Sequence, residues 1–106
     1  MTNAKEELEE ELKEVNKTIE DIKAIIVLFG YASDKREILK TSDKLDSLDI
    51  LDFDYDEGYG GQELFGTVLF NDGSWLTRGE YDGSEWWDYN RMPTVQEVLD
   101  FGPSAW

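Results

Sequence analysis

Apolar residues recur at alternating steps of four and three from residue 8 to residue 29. Such a seven-residue repeat is typical of a helix that buries a narrow stripe against a partner, as coiled coils do. The pattern predicts a long amphipathic helix over residues 1–30, beginning near Ala4 and ending at Gly30. We expect this stripe to join copies of the chain into a homo-oligomer. Its members are Leu8, Leu12, Val15, Ile19, Ile22 and Ile26, and Phe29 continues the repeat.

Two alternatives stay open for this region. Residues 24–29 are apolar on every side, which fits either the buried end of the helix or the first strand of a sheet. We favour the helix. The stripe also has two conceivable partners, because a helix this short is marginal alone and must pack on a second copy or on the chain's own sheet. The regular seven-residue spacing favours a second copy.

The hydrophobic period changes to two from Leu48 onward, which is typical of strands with one wet face. The pattern predicts a four-stranded antiparallel meander over residues 48–89. Asp-Gly pairs favour tight turns because glycine readily adopts positive φ. The strands are expected at 48–55, 63–70, 75–81 and around 85–89, with turns at Asn71-Asp72-Gly73-Ser74 and Asp82-Gly83.

The remaining segments complete a single domain of 106 residues. Residues 31–47 are predicted to be a charged connector with a short strand near Glu37–Lys40. A short helix is expected over residues 94–101, where Thr94 and Glu97 have the spacing of a capping box. The predicted fold class is α+β, with a long coiled-coil-like helix, the four-stranded meander and a short terminal helix.

Charge and composition narrow the class of protein. The chain has 25 acidic and 10 basic residues, so its net charge of −15 repels nucleic acid and anionic membranes and attracts basic protein surfaces. It contains no cysteine and no histidine, which excludes thiolate zinc sites and removes the commonest catalytic bases and nucleophiles. The N-terminus is acidic where a signal peptide needs a basic start and an apolar run. We expect a soluble cytoplasmic protein that is not an enzyme and carries no cofactor.

One acidic run has the spacing of a calcium-binding loop. Asp52, Asp54, Asp56 and Glu63 match ligand positions one, three, five and twelve of such a loop. The glycine that the loop needs is displaced by one position, and bulky aromatic residues separate the acidic ones. We therefore interpret the run as the solvated face of a strand and predict no metal site.

The acidic residues form two stripes, one of glutamates at the start of the helix and one of aspartates along the connector and first strand. Rows of carboxylates resemble the phosphates of DNA, which carry one charge per ~1.7 Å of the duplex axis. Such a surface is expected to bind a basic host protein at its nucleic-acid-binding groove, without binding nucleic acid itself. The alternative is that the charge only keeps the protein soluble. The predicted binding residues are Asp46, Asp49, Asp52, Asp54, Asp56 and Glu57.

A second candidate site lies in the aromatic segment between Trp75 and Trp87. An arginine held among tryptophan and tyrosine rings is typical of sites that clasp a nucleotide or another planar anion. The alternative is that the segment is the packed face of the sheet, with its arginine paired to a neighbouring carboxylate. The residues of this candidate ligand site are Arg78, Tyr81, Trp86, Trp87 and Arg91.

Residues 78–87 read Arg-x-Glu-Tyr-Asp-Gly-Ser-Glu-Trp-Trp, and this segment resembles one found in small accessory proteins of tailed bacteriophages. The resemblance implies an early phage protein that acts on the host, and it transfers no site residue. With the acidic charge it favours an inhibitor of a bacterial defence system, of the anti-CRISPR or anti-restriction kind. The alternatives are a sponge that traps a nucleotide signal and a structural protein that assembles through its coiled coil.

Overall fold

The computed structural model describes residues 1–30, 34–56, 61–81 and 83–101. The strands are β1 (Thr2–Asn3), β2 (Ile22–Phe29), β3 (Arg36–Thr41), β4 (Asp54–Tyr55), β5 (Leu64–Phe70), β6 (Trp75–Tyr81) and β7 (Ser84–Asn90). The helices are α1 (Ala4–Glu14) and α2 (Val95–Phe101), and short 3₁₀ turns cover Ile19–Asp21 and Asp49–Leu51. Glu57 and Asp82, which the sequence analysis places in an acidic surface and a turn, lie outside the described residues.

Five strands form one antiparallel sheet in the order β3-β2-β5-β6-β7, so β5 is its middle strand. The two short strands β1 and β4 pair with each other, with Thr2 opposite Tyr55 and Asn3 opposite Asp54. This small pair fastens the start of α1 to the segment that precedes β5. It thereby fixes the N-terminal end of α1, where many of the acidic side chains lie.

One face of the large sheet packs against α1. Alternate residues of each strand point to this face, as the period of two requires. Leu8 and Leu12 of α1 belong to the same buried cluster as Ile25, Val27 and Val68 of the sheet. The segment between β3 and β4 closes the core with the buried side chains of Leu48 and Leu51, and Tyr55 of β4 adds a third.

The predicted helix over residues 1–30 and its coiled coil are wrong. The helix ends at Glu14, and Asn16 has a φ of 58°, a left-handed conformation that ends a helix. The amide of Lys17 then donates to the carbonyl of Leu12, which closes the last turn. The chain continues through a 3₁₀ turn into β2, so the seven-residue stripe does not lie along one helix.

The supposed stripe is instead divided between the helix and the sheet. Leu8, Leu12 and Ile22 are buried in the chain's own core, and Val15 and Ile19 pack partly against it. Ile26 lies on the opposite face of β2 and is half-buried. The residues proposed for oligomerisation therefore do not form a common surface.

Residues 22–29 form a strand because they are rich in β-branched side chains, which are stiff and pack well on a pleated sheet. β2 lies between β3 and β5, and both of its faces carry apolar residues. A strand of this kind has no polar alternation, so its apolar run matches a buried helix equally well. The open alternative for residues 24–29 is thus decided in favour of a strand.

The four-stranded meander is also corrected, and the fold is mostly β in place of the predicted α+β class. The first predicted strand, residues 48–55, is a 3₁₀ turn followed by the two-residue strand β4, because its buried residues follow steps of three and four. β2 and β3 enlarge the sheet to five strands. β5, β6, β7 and α2 lie within one residue or so of their expected positions. None of the described helices is long and apolar enough to span a membrane.

Candidate functional site

The exposed side of α1 carries a ridge of carboxylates. Glu6, Glu10 and Glu14 are separated by four residues each and are all exposed. Residues four apart lie on the same side of a helix, and the rise of 1.5 Å per residue places successive members about 6 Å apart along the axis. We call these three residues the α1 ridge. The fold therefore presents a straight row of negative charge on a rigid element.

A second group of acidic residues meets the start of α1 at Asn3. The side-chain amide of Asn3 donates to Asp52 Oδ1 at 2.9 Å and to Asp54 Oδ1 at 3.2 Å. Its oxygen accepts a hydrogen bond of 3.0 Å from the amide of Glu6, which makes Asn3 the N-cap of α1. One side chain thus holds two aspartates beside the first member of the α1 ridge, and the two predicted acidic stripes meet here.

The aspartates also surround a single lysine. Lys5 Nζ lies 2.6 Å from Asp49 Oδ1. This hydrogen bond is the main cause that raises the pKa of Lys5 above its ordinary value, and the negative charges of Glu9 and Asp52 act in the same direction. The same contact lowers the pKa of Asp49. Lys5 therefore lies among three carboxylates, those of Asp49, Glu9 and Asp52.

The other flank of α1 is acidic as well. Partial burial is the first cause that raises the pKa of Glu11, and the carboxylates of Glu14, Asp88 and Glu7 raise it further. Negative charge thus extends from the connector, around the start of α1, to the side of the helix nearest β7. Such a continuous field is the physical requirement for long-range attraction of a basic surface.

The structure brings together most of the predicted acidic binding residues. Asp46, Asp49, Asp52 and Asp54 are exposed on the segment beside α1. Asp56 differs from these four residues because it is half-buried. Its backbone amide donates to Glu63 Oε2 at 3.0 Å, so its backbone is fixed by an internal contact. We call the α1 ridge together with Asp46, Asp49, Asp52 and Asp54 the acidic surface.

The candidate calcium ligands do not converge. The carboxylates of Asp52 and Asp54 accept hydrogen bonds from Asn3, whereas Glu63 is buried and bonded to the amide of Asp56. Within the described residues, no group of three or more acidic side chains is arranged to hold a metal ion. Asp52 and Asp54 instead accept hydrogen bonds from the side-chain amide of Asn3 and are exposed to solvent.

Arg78 lies in a buried polar cluster under α1, and its side chain is only 2% exposed. Its guanidinium donates to Glu7 Oε1 at 2.9 Å, to the hydroxyl of Tyr55 at 2.8 Å and to Glu85 Oε1 at 3.2 Å. The Nε donates to the carbonyl of Leu64 at 3.3 Å. Four hydrogen bonds to the chain itself leave little of the fork for an external anion.

Glu85 extends this cluster to the backbone. Its carboxylate accepts hydrogen bonds from the amides of Glu63 at 2.9 Å and Leu64 at 3.0 Å. The hydroxyl of Tyr55 completes the group by donating to Glu7 Oε1 at 2.7 Å. Burial and this hydrogen bond raise the pKa of Tyr55 well above its ordinary value. The cluster joins α1, β4, β5, β6 and β7, which is a structural role.

The other residues of the candidate ligand site are dispersed. Trp87 lies on the buried face and stacks near Arg78, with 4.9 Å between the guanidinium carbon and the ring centre. Trp86 and Tyr81 lie on the opposite face of the sheet and are exposed. Arg91 forms an exposed pair with Glu97. The structure therefore does not assemble these five residues around a common space.

Sequence reasoning missed the contacts of Asn3 with Asp52 and Asp54, and it missed the partners of Arg78 in the buried cluster, which are Glu7, Tyr55 and Glu85. Glu85 had one local signal, because it alternates with Trp87 on β7 and so points to the same face as a large apolar residue. The roles of Asn3 and Tyr55 depend on contacts with residues about fifty positions away in the chain. Local pattern contains no such information.

Comparisons with protein-family models, with curated proteins and with solved structures find no match. The fold and the geometry of the acidic surface are therefore the basis for a functional assignment.

Proposed function

We propose that the protein is a non-enzymatic inhibitor of a bacterial defence system, and that it acts in the host cytoplasm by occupying a basic nucleic-acid-binding surface. The observation that carries this proposal is the acidic surface, in which Asn3 holds Asp52 and Asp54 beside the α1 ridge. The net charge of −15 exceeds the magnitude of about 2–8 that suffices for the solubility of a small domain. The excess calls for another explanation.

The geometry of the ridge supports charge mimicry. Its three carboxylates span about 12 Å of helix axis, which is the length occupied by about four phosphates of one DNA strand at 3.4 Å each. A row of this length fits a groove lined by lysine and arginine. α1 is fixed to the core by Leu8 and Leu12, so its carboxylates are held in place before binding and less entropy is lost on association.

Electrostatic attraction gives the proposed interaction a defined behaviour. Opposite charge steers the two proteins together and raises the association rate, and salt screens this effect. We expect association to slow steeply with ionic strength while dissociation changes less. An interface that depended on apolar contacts would show an association rate that changes little with ionic strength.

The direct experiment is competition with duplex DNA for purified bacterial restriction enzymes and CRISPR effector complexes. The test variant is E6K/E10K/E14K, which reverses the α1 ridge. The matched control is E20K/E80K/D100K, which makes the same charge change at three exposed residues on other parts of the structure. The wild-type protein and the control are expected to displace DNA from at least one of these targets, and the ridge variant is expected to lose at least about tenfold in potency.

Equal loss in both triple variants would show that net charge matters and position does not. Equal potency of the ridge variant and the wild type would remove the ridge from the binding surface. Circular dichroism and thermal unfolding of each variant establish that α1 is still folded, so a loss of potency is then assigned to the surface.

A further inference from the structure

The face of the large sheet opposite α1 combines apolar side chains with charged residues at its edges, which are Glu37 and Lys40 on β3 and Asp88 on β7. Lys35 Nζ also lies over the ring of Phe65, 4.0 Å from its centre. On this face, which we call the open face, the apolar residues are partly exposed and come from four strands. Scattered apolar residues are normal on a protein surface, but a contiguous patch of this kind usually marks an interface. Its apolar members are Ala24, Ile26, Leu28, Phe65, Leu69, Trp75 and Trp86.

The register places two of these edge charges, Lys40 and Asp88, in the same row, whereas Glu37 lies in the row of Leu28 and Phe65. Lys40 of β3 lies opposite Ile26, and Ile26 lies opposite Thr67 of the middle strand. Thr67 pairs with Thr77, which pairs with Asp88 of β7. The row thus begins with a lysine and ends with an aspartate. Neither charge forms an ion pair with another residue in the described part of the chain.

A two-fold axis parallel to β5 makes this face complementary to itself. Rotation about such an axis turns the face onto a second copy, reverses the order of the strands and keeps each row at the same height. β3 of one copy then lies over β7 of the other, so Lys40 faces the partner's Asp88, and the reciprocal pair forms at the other edge. Two sheets packed in this way would lie about 10 Å apart, as in a β-sandwich.

The same two-fold axis also brings a large side chain of one copy over a small side chain of the other. Ala24, Leu69 and Trp75 lie in one row, on β2, β5 and β6. An open depression of about 700 Å³ lies at the Ala24 end of this row, with Ile26 and Leu69 in its lining and Lys40, Thr41 and Asp43 on its β3 side. The axis places the large indole of Trp75 over the small side chain of Ala24 in the second copy. A large residue therefore meets a depression, which close packing requires.

We propose that the open face is the interface of a homodimer, in which two sheets pack face to face about an axis along β5. The interface is isologous, as a two-fold dimer requires. It leaves the acidic surface free, because that surface lies on and beside α1, which covers the other face of the sheet. The proposal does not depend on the function assigned to the acidic surface.

Charge exchange between Lys40 and Asp88 tests this arrangement. The two residues are four strand spacings apart in one chain, or about 19 Å, so they do not contact each other within a protomer. K40D places aspartate opposite the partner's Asp88 at both edges, and D88K places lysine opposite the partner's Lys40. Sedimentation equilibrium over a concentration series is expected to give a dimer for the wild type and dimer dissociation constants about a hundredfold weaker for each single variant.

Mixing the two single variants is the decisive measurement. A K40D chain and a D88K chain form two opposite-charge pairs with each other and two like-charge pairs with themselves. We expect an equimolar mixture to recover a dimer, and native mass spectrometry is expected to identify it as the mixed species. That recovery also shows that both variants are folded.

A wild-type protein that stays monomeric throughout the concentration series would overturn the proposal. Single variants that dimerise as well as the wild type, or a mixture that dimerises no better than its components, would also overturn it. A dimer that persists in K40D and D88K but dissociates when α2 is removed would assign the contact to that helix instead.

Discussion

The guanidinium of Arg78 lies 2.9 Å from the carboxylate of Glu7, and this contact joins β6 to α1 across 71 residues of sequence. Arg78 is also the centre of the buried cluster, because it bonds to Tyr55 and Glu85 as well. The side chain of Glu85 is fully buried, so its charge depends on Arg78 for compensation. The contact therefore adds a buried polar link between α1 and the sheet to the packing of Leu8 and Leu12.

Replacement of Arg78 by alanine is expected to destabilise the protein by about 3–5 kcal/mol, because it leaves buried carboxylates without a partner. Urea unfolding followed by tryptophan fluorescence measures the change. The matched control is Arg91→Ala, which removes an exposed arginine from its pair with Glu97. We expect a small effect there. Equal effects at the two positions would contradict the central role of Arg78.

The titration of Tyr55 is expected to make the free energy of unfolding depend on pH in the alkaline range. Its hydroxyl donates to Glu7, and burial raises the pKa of Tyr55 well above its ordinary value. A folded-state pKa above that of the unfolded chain gives stability that is complete below about pH 10, the pKa of free tyrosine, and is lost as pH rises beyond it. Y55F lacks the titrating group and loses about 1–2 kcal/mol at neutral pH from its missing hydrogen bonds.

We therefore expect the difference in unfolding free energy between wild type and Y55F to shrink as the pH rises from about 9 to about 11. Urea titrations at a series of pH values measure it. A difference that stays constant would mean that the hydroxyl of Tyr55 titrates alike in the folded and unfolded chains. Other alkaline groups are common to both proteins and cancel in the comparison.

The meander was the most predictable part of the fold. The sequence has an Asp-Gly pair between β5 and β6 and another between β6 and β7, and Gly73 and Gly83 have φ values of 90° and 88°, as tight turns require. These signals are local, so the sequence contains them. β2 lacks them, because a central strand with apolar residues on both faces has no polar alternation. Its spacing happens to continue that of α1, and this produced the false coiled coil.

The residues of the two candidate sites also differ in whether local sequence predicts their environment. The exposed aspartates beside α1 could be predicted because most acidic side chains lie on the surface. Arg78 and its partners could not, since Glu7, Tyr55 and Glu85 come from three separate parts of the chain. A buried arginine and a ligand-binding arginine look identical in sequence. Long-range geometry distinguishes them.

Asn3 provides a test of how closely the aspartates approach α1. Asn3→Ala removes the N-cap of α1 and is expected to cost about 1 kcal/mol. Asp caps helices as well as Asn does. Asn3→Asp nevertheless replaces the amide donor by a third carboxylate next to Asp52 and Asp54, and is expected to be the more harmful change at low salt.

Urea unfolding of the two Asn3 variants at low and high salt measures this order. The penalty of Asn3→Asp is expected to shrink with salt, because salt screens like charges. In a D52N/D54N background the Asn3→Asp variant should become the milder of the two. If Asn3→Asp were the milder variant in the wild-type background, the three side chains would not share one site.

Gly66 marks a position where the sheet allows no side chain. A Cβ at this residue would lie 2.6 Å from the carbonyl oxygen of Ile26 and 3.2 Å from the ring of Trp87. The first contact is with the backbone of β2, so a change of rotamer does not relieve it. We expect Gly66→Ala to destabilise the protein by about 1–3 kcal/mol, as overpacking does.

Gly61 is the matched control, because a Cβ there has no described atom within 4 Å and the Gly61→Ala variant should unfold like the wild type. Thermal unfolding compares the two. A second variant separates the two contacts of Gly66, since Trp87→Phe shortens the ring but leaves the carbonyl of Ile26 in place. If Trp87→Phe restored the stability of Gly66→Ala, the ring would be the obstacle; we expect no restoration, because the pairing of β2 with β5 fixes the distance between their backbones.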